Sequence, residues 1–443
     1  MQAKANYTNY KQGHITQSTA ECRVSADTGA QERDVINIYP KITNQTVEGF
    51  GGAITESVGH TLSQLPAKTQ ETILSAVFGA EGLRYSIVRT SIDSCDFALS
   101  QYEAAPRPGE PLNLWHDETY VIPFIQAAQQ AAQSAIEVML TPWSPPAYMK
   151  SNGERSHGGK LLPEYYPDWA AYIVRYIQAY QANGLLVTRL SVQNEPNATQ
   201  LWDSCVFSAE EEKVFLRDFL APALQKAGLG SLAVYIWDHN KERLFDRVCD
   251  IVDETTEQLI AGAAFHWYSG DHFDALRLVR SQYPQLKLLF SEGCIEYNRF
   301  DRDDQLQSAR MYAHDMIGNF NAGQNTFLDW NILLASDGGP NHAKNFCDAP
   351  ILCNTETGAF EKRLSYYYIR HFSRYVAPGA LHVATTTFSN EVAAVAFQNP
   401  DGRIVAVLLN SSSRARCVYL RINGQLIELR LEADAISTVE ITL

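Results

Sequence analysis

The feature that most constrains the fold is a pattern repeated eight times between residues 46 and 378. Each repeat has a short apolar run, a break rich in glycine, proline or polar residues, and in most cases a stretch with helical periodicity. The apolar runs predict strands at 47–55, 84–92, 136–144, 188–195, 232–238, 261–268, 287–292 and 326–333. Helices are predicted at 66–78, 118–134, 165–183, 209–227 and 274–283, with a last one at 361–375.

Eight strands alternating with helices indicate an α/β chain that closes into a (β/α)8 TIM barrel. An open, doubly wound sheet is the alternative arrangement of such units. It usually carries G-x-G-x-x-G after its first strand, and this chain does not. The glycine-rich run 49–52 lies within a predicted strand, so we do not interpret it as a phosphate-binding loop.

After residue 378 the periodicity changes to two, which is typical of strands with one buried face. Strands are predicted at 391–398, 404–409, 417–422, 426–431 and 436–441. Hairpins of this kind form a small antiparallel sandwich. Residues 1–45 read as polar loops with one alternating stretch at 34–39, which we expect to add a strand to it. We therefore predict a barrel at 46–378 and a discontinuous side β-sandwich built from 1–45 and 379–443.

Charge and composition exclude several classes of partner. The 443 residues carry a formal charge of -14, which would repel nucleic acid and anionic lipid. No transmembrane segment is visible, and the N-terminus lacks the apolar stretch of a signal peptide. The eight cysteines are dispersed without a C-x-x-C pair. We expect a cytoplasmic protein with no membrane insertion, although a processed, secreted form stays open.

Two glutamates stand where a barrel displays its catalytic groups. Glu195 follows the strand-like run 187–193 and precedes Pro196, which cannot continue a strand. Glu292 ends the run 286–291 in the same way. Two carboxylic acids on separate strand tips are the minimal machinery of glycoside hydrolysis. The alternative for each one is a structural role as a helix cap.

The other predicted strand tips also carry polar or aromatic groups. They are Thr55 and Glu56; Asp93, Ser94, Cys95 and Asp96; 143–146; Asn194; Asp238, His239 and Asn240; 266–268; and 329–331. Polar groups at eight independent tips are difficult to explain as core packing.

The motifs at these tips resemble glycoside hydrolase family 30, a family of retaining hydrolases that includes glucosylceramidase. The resemblance covers nearly the whole chain and rests on GFGGAIT at 49–55, Arg89, SCDF at 94–97, TPWSPPAYMK at 141–150, QNEP at 193–196, FHWY at 265–268, FSEGC at 290–294, DWN at 329–331 and GGPN at 338–341. The N-E-P triplet alone is shared by many barrel glycosidases. The combination in this order is specific.

The resemblance implies that Glu195 is the general acid/base and Glu292 the nucleophile. It further implies roles around the sugar for eight residues: Asn194 at the 2-hydroxyl, Tyr268 and Arg89 on Glu292, Asp96 and Trp143 at outer hydroxyls, Trp330 as a stacking wall, and Asn341 and His266 as second-tier contacts. A satisfied buried histidine is the alternative for His266.

We therefore expect a retaining exo-β-glycosidase that acts on a β-linked glucoside or glucan, with β-glucosides as the expected substrates. Endo-β-1,6-glucanase, β-xylosidase and β-fucosidase activities stay open, as does a non-catalytic carbohydrate-binding protein. The loops at 269–274, 295–305 and 343–357 do not obviously correspond to those of the lysosomal member, so ceramide is not supported as the leaving group. No H-E-x-x-H, G-x-S-x-G or Walker motif occurs. We expect neither a metal nor an organic cofactor.

Overall fold

The computed structural model describes residues 1–443, and its first 46 residues are mostly strand. The strands are β1 (Gln2–Lys11), β2 (His14–Glu21), β3 (Arg23–Ala26) and β4 (Val35–Thr46). The expectation of polar loops before residue 34 is therefore wrong. β2 lies at the edge of its sheet and is exposed along nearly its whole length, so its sequence has no apolar face to reveal a strand.

The next eight strands form a closed parallel barrel, which confirms the predicted fold class. They are β5 (Gly49–Ala53), β6 (Ile87–Ile92), β7 (Glu137–Pro142), β8 (Leu186–Ser191), β9 (Ala233–Asn240), β10 (Gly262–His266), β11 (Lys287–Glu292) and β12 (Gln324–Asp329), and β12 pairs with β5 to close the ring. In β5 a Cβ at Gly51 would lie 1.7 Å from the carbonyl oxygen of Ile87. The glycine run therefore serves close strand approach, and it lies within the strand as expected.

Ten α-helices accompany the strands. They are α1 (Glu56–Ser63), α2 (Ala67–Phe78), α3 (Ile122–Ala132), α4 (Tyr166–Ala182), α5 (Ala209–Phe215), α6 (Ala221–Lys226), α7 (Leu244–Ile251), α8 (Phe273–Gln282), α9 (Gln305–Ala322) and α10 (Leu364–Ser373). The sequence pattern missed α1, α7 and α9. Helix α9 contacts the barrel on one side and the side sheet on the other, so it lacks the polar face that marks a surface helix.

The remaining strands form two further sheets. A small sheet consists of β13 (Leu333–Ala335), β14 (Ile351–Asn354) and β15 (Ala359–Lys362). After α10 follow β16 (Leu381–Thr387), β17 (Val392–Gln398), β18 (Ile404–Asn410), β19 (Arg416–Ile422), β20 (Gln425–Leu431) and β21 (Ala435–Thr442). These six join β1–β4 in one ten-stranded sheet, in which β1 pairs with β21. The two ends of the chain thus share one hydrophobic core, separate from the core around the barrel.

Two buried histidines lie between the side sheet and the helices of the barrel. His371 of α10 has Nδ1 2.8 Å from the Thr438 hydroxyl and Nε2 2.9 Å from the Thr8 hydroxyl. Burial, with a smaller effect of the Arg370 charge, lowers the pKa of His371 to about 3. His382 of β16 lies in a similar position, and burial lowers its pKa to about 4. Both rings are therefore neutral in the folded protein at neutral pH.

We expect this interface to weaken in acid. The unfolded chain binds a proton on each histidine near pH ~6.5, whereas the folded chain does so only far below that value. Between these limits the unfolded state binds more protons. The free energy of unfolding should therefore fall as pH falls, by up to about 1.4 kcal/mol per pH unit for each histidine. Denaturant unfolding across this pH range would measure the slope. His371→Gln should flatten it, and an unchanged slope in that variant would contradict the assignment.

Candidate active site

A cavity of about 380 Å³ opens at the carboxyl ends of the barrel strands. Its lining includes seven of the ten residues predicted for the site, namely Asp96, Trp143, Asn194, Glu195, Tyr268, Glu292 and Trp330. Parallel strands in a barrel all direct their carboxyl ends to one face, which brings together side chains that are far apart in sequence.

Glu195 and Glu292 face one another across this cavity. One oxygen from each carboxyl group and a ring nitrogen of His266 lie within 4.8 Å of one another. Carboxyl groups about 5–5.5 Å apart are typical of retaining glycosidases, whereas inverting enzymes separate theirs by about 6.5–9.5 Å to admit a water. The spacing here matches the first geometry.

Glu292 has the surroundings of an ionised carboxylate. Arg89 donates a charged hydrogen bond of 2.6 Å to Oε2, and the Tyr268 hydroxyl donates one of 3.0 Å to Oε1. Arg89 also donates to Asn194 Oδ1 at 2.8 Å and to Asp238 Oδ2 at 3.0 Å. Burial raises the pKa of Glu292 above its usual range, while the charges of His266 and Arg89 oppose that rise. Arg89 therefore fixes the position of Glu292 and supplies its countercharge.

Glu195 is bonded mainly to a histidine. His266 Nδ1 lies 3.2 Å from Oε1, and the Gln200 amide donates to Oε2 at 3.5 Å. His239 lies farther away, with Nε2 3.8 Å from Oε1. Burial opposes ionisation of Glu195, but the His266 hydrogen bond and the charges of both histidines outweigh it and lower the pKa of this carboxyl to about 2. Glu195 and His266 thus share one proton, which resides on the histidine side of their hydrogen bond.

Backbone strain accumulates at the mouth of the barrel. Asp93, Glu195, Asp238 and Asn331 have φ values of 61°, 44°, 49° and 68°, in the left-handed region that favours glycine. Non-glycine residues in this region cost energy, and they persist where the surrounding structure fixes them. In Glu195 the peptide N–H donates to the Asp238 carbonyl at 2.9 Å, which holds the strained turn in place.

Aromatic side chains form one wall of the cavity. Trp143 and Trp330 are stacked, with ring centroids 5.3 Å apart and planes at 22°. The Arg89 guanidinium lies over the Trp143 ring at 4.7 Å, which adds a cation–π contact behind the wall. Asp96 closes the cavity beside them, and burial and the Glu292 charge raise its pKa well above the usual range. The Asp96 carboxyl oxygens can accept hydrogen bonds from hydroxyl groups.

Two residues that were expected to contact the sugar are hydrogen-bonded to protein groups in the structure. Asn341 is directed into its own loop, where Nδ2 donates to the Asn345 carbonyl at 3.1 Å and Oδ1 accepts from the Ala343 N–H at 2.8 Å. Asn345 is among the residues that line the cavity, whereas Asn341 is not. Both ring nitrogens of His266 are occupied by Glu195 and Asp238, so this ring contacts the acidic groups and has no nitrogen free for a sugar.

Several residues at or behind the cavity had no role assigned from the sequence. Asp238 was noted only as a strand-tip residue, although it contacts both Arg89 and His266. Its place at the end of a predicted strand was the one available signal. Gln200, Trp202 and Lys344 line the cavity itself, but they lie on loops whose path no periodicity reveals. No helix of the structure is both long and apolar enough to cross a bilayer.

Comparison with known proteins identifies the chain's family. Residues 47–376 match the glycosyl hydrolase family 30 TIM-barrel domain, and residues 379–439 match the family 30 β-sandwich domain. The lysosomal acid glucosylceramidase of Mus musculus is 30% identical over 401 residues, which is 86% of this chain and 78% of that protein.

Two solved structures are similar over almost the whole chain. The crystal structure of SrfJ from Salmonella typhimurium is 37% identical with a TM-score of 0.96, covering 100% of both chains. An endo-β1,6-glucanase structure is 27% identical with a TM-score of 0.88, covering 99% of both chains. Both domain types, the closed barrel with its paired carboxylates, and these relatives agree: the chain belongs to glycoside hydrolase family 30.

Proposed function

We propose that this enzyme hydrolyses β-glucosides with retention of configuration and removes one glucose at a time from the non-reducing end. The observation that carries the retaining mechanism is the 4.8 Å grouping of the Glu195 and Glu292 oxygens. The different surroundings of the two carboxylates support separate roles for them. Arg89 and Tyr268 bind Glu292 as an ionised nucleophile, whereas Glu195 is coupled to a group that can supply a proton.

The first chemical step forms a covalent glycosyl-enzyme. A Glu292 oxygen attacks the anomeric carbon, the bond to the leaving oxygen breaks, and Glu195 delivers a proton to that oxygen. In the second step Glu195 accepts a proton from water as the water attacks the same carbon, which releases glucose and restores the Glu292 carboxylate. Asn194 is held by Arg89 at 2.8 Å beside both carboxylates, where it can bond the sugar 2-hydroxyl.

The buried wall of the cavity supports exo action. Asp96, Trp143 and Trp330 are 5%, 2% and 2% exposed, so they form a buried wall against which a terminal sugar could rest. Asp96 and the Trp143 N–H would bond the outer hydroxyls of a terminal glucose, and Trp330 would pack against its apolar face. An endo enzyme needs a cleft that is open at both ends.

The second candidate is endo-β-1,6-glucanase activity, because a structure of that activity is similar over 99% of the chain. Glucosylceramide hydrolysis has the same kind of support from the relative in Mus musculus. These activities share the proposed chemistry at Glu195 and Glu292. They differ in the leaving group, which the loops around the cavity mouth select.

A substrate panel tests the proposal directly. The enzyme should release glucose from aryl β-glucosides and shorten β-1,6-glucan only from its end, without lowering the average chain length early in the reaction. Rapid loss of chain length together with poor turnover of the aryl glucosides would contradict exo action. Turnover of neither substrate would indicate a binding protein. A 2-fluoro-β-glucoside with an activated leaving group should label Glu292, which peptide mass spectrometry can locate.

A further inference from the structure

We infer that His266, oriented by Asp238, stores the proton that Glu195 delivers to the leaving group and takes it back when water attacks. This inference rests on the proposed retaining mechanism. It assigns His266 as a positioning residue that acts through Glu195, in place of the sugar contact expected from the sequence.

The His266 ring lies between two carboxylates, with one ring nitrogen bonded to each. Nδ1 lies 3.2 Å from Glu195 Oε1, and Nε2 lies 3.0 Å from Asp238 Oδ1. The ring is fully buried, so neither nitrogen can exchange its partner for solvent. A doubly protonated ring can donate to both carboxylates. A ring protonated only on Nε2 can still donate to Asp238 while it accepts a proton from Glu195.

Asp238 fixes which nitrogen can lose its proton. Its Oδ2 accepts from Arg89 at 3.0 Å, and its Oδ1 accepts from the Ser291 hydroxyl at 2.5 Å as well as from His266. These bonds keep Asp238 ionised, with a pKa well below the usual range in spite of its burial. Nε2 therefore keeps its proton through the cycle, and Nδ1, which faces Glu195, is the position that changes. The same logic orients the histidine of a Ser-His-Asp triad.

The charges around His266 favour the stored proton in the free enzyme. Glu195 faces the ring from the turn after β8, and Asp238 and Glu292 face it from β9 and β11, with Glu292 Oε1 3.9 Å from Nδ1. His239 lies on the other side with ring centroids 6.3 Å apart, Tyr268 packs edge-on at 6.0 Å, and Arg89 acts through its bond to Asp238. Burial alone would lower the pKa of His266, but the three carboxylates outweigh it and raise the pKa to about 9.

The proton and the charges balance over one cycle. As the glycosidic bond breaks, the Nδ1 proton moves to Glu195 and then to the leaving oxygen, while Glu292 loses its negative charge in forming the ester. The ring is then neutral and no longer faces the Glu292 charge, so the pKa of the Glu195–His266 pair falls and the pair stays deprotonated, ready to take the proton of water as the water attacks. Attack of that water releases Glu292 as a carboxylate, and its charge again draws the proton onto Nδ1.

Nitrogen NMR of a histidine-labelled enzyme tests this directly. We expect His266 to titrate as an imidazolium with a raised pKa in the free enzyme. In the enzyme trapped as a 2-fluoroglucosyl ester at Glu292, its pKa should fall by about 1–3 units, because an opposite charge at close range has been removed. A ring that stays neutral in the free enzyme, or a pKa that is the same in both forms, would overturn the inference. Failure to form the adduct would instead contradict the retaining mechanism itself.

The variant His266→Gln separates proton storage from simple packing. Its kcat/KM on substrates with poor leaving groups should fall by about tenfold or more, with much less loss on dinitrophenyl glucosides that need no acid. The alkaline limb of its pH profile should move to lower pH by at least about one unit, since Glu195 must then hold the proton alone. The control His314→Gln, at an exposed histidine paired with Asp271, should keep the parent profile. An equal loss on all leaving groups with an unmoved alkaline limb would indicate a purely structural role.

Discussion

Replacing Glu292 with glycine is expected to lower kcat on aryl β-glucosides by on the order of 10⁴- to 10⁶-fold, the loss typical of removing a nucleophile. The attacking oxygen disappears, and Arg89 and Tyr268 then face an empty space where it stood. That space can admit a small anion from solution. Azide or formate should therefore restore turnover of substrates with activated leaving groups, and azide should give the α-glucosyl product by a single displacement.

Glu195→Gly is the matched control, since it removes the other carboxylate of the same cavity. It should retain the first step on dinitrophenyl glucosides, accumulate the glycosyl-enzyme, and give the β-glucosyl azide when azide attacks that intermediate. The two variants are thus distinguished by the configuration of the azide product. Full activity of Glu292→Gly without an added anion, or the same azide anomer from both variants, would contradict the assigned roles.

Replacing Arg89 with methionine is expected to destabilise the fold by about 3–5 kcal/mol and to abolish most of the activity. Arg89 is fully buried and is the common partner of Asp238 and Glu292, which it contacts at 3.0 and 2.6 Å. Without it, two buried carboxylates lose their countercharge and must either stay ionised at a high cost or take up protons. Denaturant unfolding monitored by tryptophan fluorescence would measure the loss of stability.

Two further variants test whether the loss of stability in Arg89→Met comes from the buried ion pairs. Arg299→Met removes a surface ion pair with Glu296 and should cost about 1 kcal/mol or less. Adding Asp238→Asn to Arg89→Met should recover part of the lost stability, because one of the two uncompensated charges is then absent. If Arg89→Met and Arg299→Met unfold at the same denaturant concentration, the buried network does not carry the stability assigned to it.

Several elements show how far the sequence could be interpreted. The barrel strands were placed to within a few residues because each is a buried apolar run between clear breaks, as in β11, whose bounds agree with the prediction. β2 and α9 were missed for opposite reasons. β2 is exposed and has no apolar face, whereas α9 is covered on two sides and has no continuous polar face. Periodicity reports an element only when it has one buried side and one exposed side.

At the candidate site the sequence also did not reveal which way the loop side chains point. Asn341 belongs to a quoted motif, yet its side chain supports a turn, and Asn345 faces the cavity instead. Asp238 and His266 were visible as strand-tip residues, but their mutual hydrogen bond was not. Residues along a strand have predictable directions, whereas the direction of a loop side chain depends on backbone angles that sequence spacing does not encode.

Periodicity and composition were enough to predict the number of strand–helix units, the position of Glu195 and Glu292 at strand ends, and a negative charge that disfavours polyanionic partners. Which groups share a proton and which share a charge depends on contacts that exist only in the folded barrel. Asp238, His266 and Glu292 lie in three strands and Glu195 in the turn after a fourth, and their carboxylate and imidazole atoms meet only after the barrel closes. Electrostatic coupling depends on distances of a few ångströms and on burial, and both are set by that closure.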